Sequence, residues 1–200
     1  MLIADTIGSS GHALRSAIMP RPAFHPSAHA YPMHLIESWQ TSDGATITIR
    51  PIDADDMALE RRFLNGLSEQ TRYQRLFSTR RLLPGELERL THIDYDHEMA
   101  LIATTFVHGI EQEIAVARYV KESDGDADFA IVVADAWQRS GLGEKLLRSL
   151  IDSARLAGIA RVTGITLATN VGMQRLARKL GFDLRRDAAD ATLTRLVKVL

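Results

Sequence analysis

The chain predicts an α+β fold, an α/β sandwich built on a mixed sheet, and three observations carry that prediction. Thr46-Ile47-Thr48-Ile49-Arg50 alternates apolar and polar residues with the period of two that half-buries a strand. Leu142, Leu146, Leu147, Leu150, Ile151 and Ala154 recur with the period of a helix that buries one face. The elements follow in the order strand, helices, two strands about a turn, then strand, helix, strand, helix, strand. That order lays helices on a sheet of mixed strand direction.

Residues 1 to 42 hold Gly8-Ser9-Ser10-Gly11 and Pro20, Pro22, Pro26 and Pro32. Such a composition cannot offset the entropy of ordering a core, so it predicts a disordered tail ahead of a folded domain over residues 43–200. His12, His25, His29 and His34 match no ligand spacing for a metal, and no uninterrupted apolar stretch marks a targeting peptide. The strand at 46–50 ends at Pro51. Asp53 to Asp56 supply caps and first-turn charge for a helix over Met57 to Leu67. A second helix spans Glu69 to Phe77, and a third starts at Leu83-Pro84-Gly85-Glu86 with proline at its first position. Met99 to Val107 and Ile114 to Val120 are strands about His108-Gly109, and Ser123-Asp124-Gly125-Asp126 signals another hairpin. Asp128 to Ala134 reads as a strand buried on both faces. The long helix follows, with Glu144, Lys145, Arg148, Asp152 and Arg155 on its outer face and Gly158 at its end. A strand over Ala160 to Ala168, a short helix between Asn170 and Gly181-Phe182, and a strand at Thr192 to Val199, read as exposed enough to pair with another copy, complete the series.

Composition narrows the function. Two hundred residues of which 46% are hydrophobic suffice for one domain with a real core. A formal net charge of -1 argues against nucleic acid or an anionic membrane as partner. The chain has no cysteine, so disulfides, thiolate metal sites and acyl-cysteine intermediates are excluded. Apolar stretches are too short or too interrupted to span a bilayer. The expectation is a cytoplasmic protein, a monomer or homodimer, that uses no metal.

The junction Gln138-Arg139-Ser140-Gly141-Leu142-Gly143 says most about chemistry. A strand that hands over to a helix through a glycine-containing turn leaves backbone N–H groups pointing one way, at a helix N-terminus that favours an anion. A dinucleotide turn would need a third glycine where Leu146 stands, and a nucleotide phosphate loop would need Gly-Lys-Ser/Thr, which is absent. Glycine used only for tight strand-to-helix geometry remains the plain alternative.

With Gln138, Gly141 and Gly143 spaced this way, and Asn170 ahead of a helix closing in Lys179, Gly181 and Phe182, residues 45 to about 187 resemble the GNAT acyl-CoA-dependent N-acyltransferases. The wording of Ser68-Glu69-Gln70-Thr71-Arg72-Tyr73, Ile93-Asp94-Tyr95-Asp96 and Leu176-Ala177-Arg178-Lys179-Leu180-Gly181-Phe182 is similar to one subgroup, the bacterial protein lysine acetyltransferases. The resemblance implies a mixed, mostly antiparallel sheet and acetyl-CoA as cosubstrate. It implies that the strand around Val132 and Val133 splays from the 162–167 strand, so that open backbone pairs with the pantetheine amides. The diphosphate would then take N–H bonds from residues 139 to 144, Arg139, Ser140, Gly141, Leu142, Gly143 and Glu144, with Arg139 or another cation near the 3′-phosphate. Asn170 either caps its helix, contacts the pantetheine arm, or does both.

An acceptor amine such as lysine, with a pKa of about 10.4, must lose a proton before it attacks a thioester. In the lysine acetyltransferases a Glu at the start of this strand is the general base, and the matching residue is Asp128, one methylene shorter. Many GNAT enzymes place a Tyr acid where this chain has Ala177, so the departing thiolate is left to water or another group; Tyr73 and Tyr95 qualify by chemistry alone. Arg61, Arg62, Arg72, Arg75, Arg80 and Arg81 read as solvated helix surface offset by Glu60, Glu69, Glu86 and Glu88, with recruitment of an acidic protein surface on the acceptor side as the alternative. The reading is direct transfer of an acetyl group to an amine, a protein lysine by resemblance. A small-molecule amine acetyltransferase and a non-catalytic acyl-CoA sensor are the alternatives.

Overall fold

The computed structural model describes residues 31–41, 44–76, 84–122 and 124–200. The chain forms β1 (Glu37–Gln40), β2 (Thr46–Pro51), α1 (Met57–Gly66), α2 (Glu69–Leu76), α3 (Pro84–Thr91), β3 (Glu98–Val107), β4 (Ile110–Lys121) and β5 (Asp126–Val133). It continues as α4 (Leu142–Leu156), β6 (Arg161–Leu167), α5 (Val171–Lys179), β7 (Asp183–Arg186) and β8 (Leu193–Val199). One eight-stranded sheet runs β1-β2-β3-β4-β5-β6-β8-β7, and only β5 and β6 are parallel. The α+β architecture and the mostly antiparallel sheet agree with the sequence reading.

Local chemistry accounts for most of these elements. The β3–β4 hairpin turns through His108 (φ 50) and Gly109 (φ 77), the left-handed pair that a tight two-residue turn requires. Ahead of α1, Asp53 accepts from the Asp55 N–H and Asp56 from the Asp53 N–H, a capping box at the N-terminal end of a short 3-10 turn. The Asp56 carboxylate also takes Arg50 in a bidentate pair, 2.6 and 2.8 Å, across from β2. Leu142, Leu146, Leu147, Leu150 and Ile151 of α4 pack on the sheet face formed by Ile49, Leu101, Ala117 and Phe129. On the other face, Leu59 and Phe63 of α1 cover Ile102, Val116 and Val132.

Several features depart from the sequence reading, among them β7, which was unforeseen, and β5, whose Ala130, Ile131 and Val133 are half-buried rather than buried on both faces. β1 was unforeseen because Glu37, Ser38 and Gln40 are exposed at a sheet edge; only Trp39 packs inward, beneath the Lys145 ammonium at 4.4 Å. β4 begins at Ile110 rather than Ile114, because its first residues are polar or exposed and a bulge interrupts the alternation. β8 is no edge: it lies between β6 and β7, so it offers no free strand to another copy. Glu60 is not solvated surface but 1% exposed. The tail before Tyr31, Phe77, Arg80, Arg81, Leu83 and Ser123 lie outside the described residues.

The bulge has an electrostatic consequence. Register shifts between Ala103 and Thr104, so that Ala115 faces Ala103 while Glu113 faces Thr104. The extra residue re-aims the strand and leaves Glu113 buried. Neither Glu113 oxygen meets a donor among the described residues, and one Glu60 oxygen is equally orphaned while the other is 3.4 Å from Arg118. A donor appears there only if one of the two carboxyls carries a proton. Burial first, and Glu60 next, push the Glu113 carboxyl well above the ordinary range.

Because the folded pKa is raised, this group favours folding below the usual glutamate pKa and opposes it as pH rises. Glu113→Gln, whose amide is a permanent donor, is expected to stabilise the protein at pH 7.5 by about 1 kcal/mol, about 3 °C in Tm. The gain is expected to shrink toward pH 4 in thermal melts, and a loss of Tm at pH 7.5 would refute the shared-proton account.

Candidate functional site

The parallel pairing of β5 and β6 lasts three residues: Asp126, Ala127 and Asp128 stand opposite Arg161, Val162 and Thr163. Beyond that junction β5 continues only against β4, and β6 only against β8. The strands part into a cleft of about 330 Å³, with Phe129 to Val133 on one wall and Gly164 to Thr166 on the other. Asn170, Met173 and Leu176 lie on its α5 side, Thr71, Gln74 and Arg75 on its α2 side. The size suits one small ligand or the arm of a larger one.

At the open end the chain turns through Arg139 (φ 63) and Gly141 (φ 88) into α4. Ser140 Oγ donates to the Trp137 carbonyl at 2.6 Å and accepts the Leu142 N–H at 3.3 Å. Among the described residues no protein acceptor takes the N–H groups of Arg139, Gly141 or Gly143. Free amides at the head of a fifteen-residue helix form an anion-binding nest. Glu144 would oppose an anion there, but hydrogen bonds from Lys179 first and Arg148 second hold its carboxyl below the usual range. The two cations offset its charge.

The sequence-derived residues take distinct places. Val132, Val133, Gln138, Arg139, Gly141, Gly143, Glu144 and Asn170 line the cleft. Ser140 shapes the turn, and Leu142 is core, 3% exposed. Gln138 Nε2 donates to the Val133 carbonyl and to Thr71 Oγ1, both at 3.2 Å, so it ties the strand end to α2. Asn170 Oδ1 accepts the Met173 N–H at 3.0 Å and caps α5 while lining the cleft. Ala177 is fully buried, and neither Tyr73 nor Tyr95 lines the cleft. Tyr95 is committed to the Ile52 carbonyl.

Sequence reasoning missed the device that holds α2 to the loop after β5. Asp135 accepts from Ser68 Oγ at 2.7 Å, Thr71 Oγ1 at 2.6 Å and the Ser68 N–H at 3.0 Å. The Ser68-to-Tyr73 wording carries the family resemblance but gives no sign of this mechanism. It also missed Arg75, which faces the cleft rather than bulk solvent. Burial, then the nearby Arg118, pull the Arg75 guanidinium down to about 10.

Asp128 sits at the junction itself, in the last β5–β6 pair, partly exposed, with Thr163 Oγ1 at 3.4 Å. Burial, with Glu122 adding to it, pushes its carboxyl up to about 7, while Thr163, Arg75 and Arg195 work the other way. A carboxyl poised near neutrality beside a cleft can accept a proton from a substrate. Among the described residues no cluster of three or more His, Asp or Glu could hold a metal. No helix among them is long and apolar enough to cross a membrane.

Comparison with known proteins accords with this geometry. The acetyltransferase (GNAT) domain family matches residues 46–183. An acetyltransferase of Pseudomonas aeruginosa is 36% identical over 161 residues, 80% of this chain and 86% of that protein. The acetyltransferase Pat of Mycolicibacterium smegmatis is 32% identical over 147 residues, 71% of this chain but 43% of that longer protein. The crystal structure of the GNAT domain of S. lividans PAT superposes with a TM-score of 0.76 at 29% identity, covering 86% of this chain and all of that one.

A raised folded pKa makes Asp128 favour folding below the usual aspartate value and oppose it as pH climbs through 7. Carboxyl NMR is expected to show Asp128 titrating near 7, with Glu122→Gln moving the midpoint down. A midpoint near 4 in the wild type would contradict the burial of this group.

Proposed function

This chain belongs to the GNAT acetyltransferase family, and from that premise we propose that it carries an acetyl group from acetyl-CoA to a protein lysine by direct attack in a ternary complex. The single observation that carries the mechanism is the parting of β5 from β6, with the amide nest at the open end of the cleft and Asp128, outside the cleft lining, in the last parallel pair. The diphosphate is held by the N–H groups of the 139–143 turn, and the open β5 backbone near Val132 and Val133 takes the amides of the arm. Acetyl-CoA supplies a carbonyl activated as a thioester. Asp128 takes the ammonium proton of the acceptor, directly or through a water molecule, and holds the amine at the junction. The amine nitrogen forms its bond to the carbonyl carbon and sheds its second proton to solvent, the C–S bond breaks, and the thiolate gains its proton from solvent, since Ala177 offers no acid. The similarity of the 68–73, 93–96 and 176–182 segments to protein lysine acetyltransferases supports a lysine acceptor.

Acetyl-CoA is expected to bind in calorimetry and to raise Tm. Asp128→Asn is expected to leave its affinity within about twofold but lower turnover about 10²–10⁴-fold and erase the acid limb near pH 7. The same variant is expected to melt higher above pH 7, because it removes a buried charge. An unchanged pH–rate profile would dismiss Asp128 as base. Acetyl-lysine on host proteins in mass spectrometry, dependent on Asp128, identifies the acceptor class; binding without turnover on any amine would favour a sensor.

A further inference from the structure

We infer that the Phe129 ring closes the inner end of the cleft and restricts the transferred group to a short acyl chain, acetyl or propionyl. The inference deepens the acetyl-CoA reading and rests on it. Phe129 is the first β5 residue past the last parallel pair, and Gly164 is the first β6 residue past the same pair. Both line the cleft, though Phe129 is only 6% exposed. A Cβ on Gly164 would lie 2.8 Å from Phe129 Cε1 and 3.0 Å from both its Cδ1 and its carbonyl oxygen. Gly164 has no positive φ, so glycine stands there for room and not for backbone freedom.

The ring has nowhere to retreat. Phe182, 5% exposed, sits beside it at 5.1 Å between centroids and 42° between planes. Leu196, at 1% exposure, is a further buried residue on the cleft lining. Interiors of this kind are close-packed, and added methylenes force neighbours off their preferred positions. A thioester whose diphosphate occupies the 139–143 turn runs along β5 toward the junction, where its acyl end meets this ring. Phe129 packs with the α4 side of the sheet, and the alternation of a strand sends Asp128 to the opposite side. The acyl wall and the proton acceptor are therefore adjacent in sequence and on different faces.

Isothermal titration of the full chain with CoA and its acetyl, propionyl, butyryl and hexanoyl thioesters tests the inference without turnover. The wild type is expected to bind the acetyl and propionyl thioesters well and the butyryl thioester about tenfold or more weakly. Phe129→Leu and Phe129→Ala are expected to bring butyryl-CoA to within about threefold of acetyl-CoA, the leucine variant serving if the alanine variant melts out. Gly164→Ala, which drives the ring into the cleft, is expected to weaken acetyl-CoA more than CoA. Wild-type protein that binds butyryl- or hexanoyl-CoA as tightly as acetyl-CoA would overturn the inference, as would an unchanged order in folded Phe129 variants. Failure of CoA itself to bind would instead remove the acetyl-CoA reading beneath it.

Discussion

The arrangement depends on a parallel pairing that is allowed to run for three residues and then broken. β5 is committed to β4 along its length and β6 to β8, so each keeps one satisfied edge after they separate. The two inner edges are left with backbone donors and acceptors facing a cleft instead of each other. Such groups need partners when water is displaced, and an extended arm bearing amides supplies them in strand-like fashion. The glycine turn follows directly from β5 through a short 3-10 segment, so the same strand that opens the cleft also aims the amide nest.

Electrostatics on the α1 and α2 side of the sheet follow from the same economy of burial. Glu60, Glu113 and Arg118 lie beneath α1, and Arg75 stands between that group and Asp128, close enough to feel Arg118, Glu60 and Asp128. Burial first, then Glu60 at Glu113 and Glu122 at Asp128, pushes both carboxyls upward, and Arg118 and Arg75 counter this only in part. Raised carboxyl pKa values oppose folding at neutral pH. At Asp128 the same perturbation leaves a carboxyl that can take a proton near pH 7, as the proposed role of general base requires. At Glu113 it accompanies a bulge that packs both Ile114 and Ala115 into the α4-side core.

Much of this was legible in the sequence where one residue type answers one physical demand. Gly141 and Gly158 lie at positive φ, the apolar stripe of α4 lies against the sheet, and the Gly-x-Gly turn lies at the open end of the cleft. Legibility failed where burial contradicts residue type. Glu60 reads as surface and is core, and Trp39 in an otherwise polar segment gives no alternation to betray β1. The Asp135 clamp was hidden because its partners, Ser68 and Thr71, are more than sixty residues away in sequence. Gly164 carries no signal within the 160–168 strand; the room it leaves becomes visible only beside the Phe129 ring.

Alternation along β5 would let one short segment serve both reactants of the proposed transfer. Asp128 and Phe129 are neighbours whose side chains must leave opposite faces of the sheet, and the strands part between them and Val133. A thioester lying in the gap can meet a wall on the α4 side while its carbonyl stays open to an amine arriving on the Asp128 side. Under the proposed mechanism, register is part of the chemistry. A slip of one residue between β5 and β4 would exchange the two faces and bring the carboxylate to the acyl wall. The seven consecutive β4–β5 pairs from Ala115–Val133 to Lys121–Ala127, anchored by core residues such as Tyr119 and Phe129, hold that register against slipping.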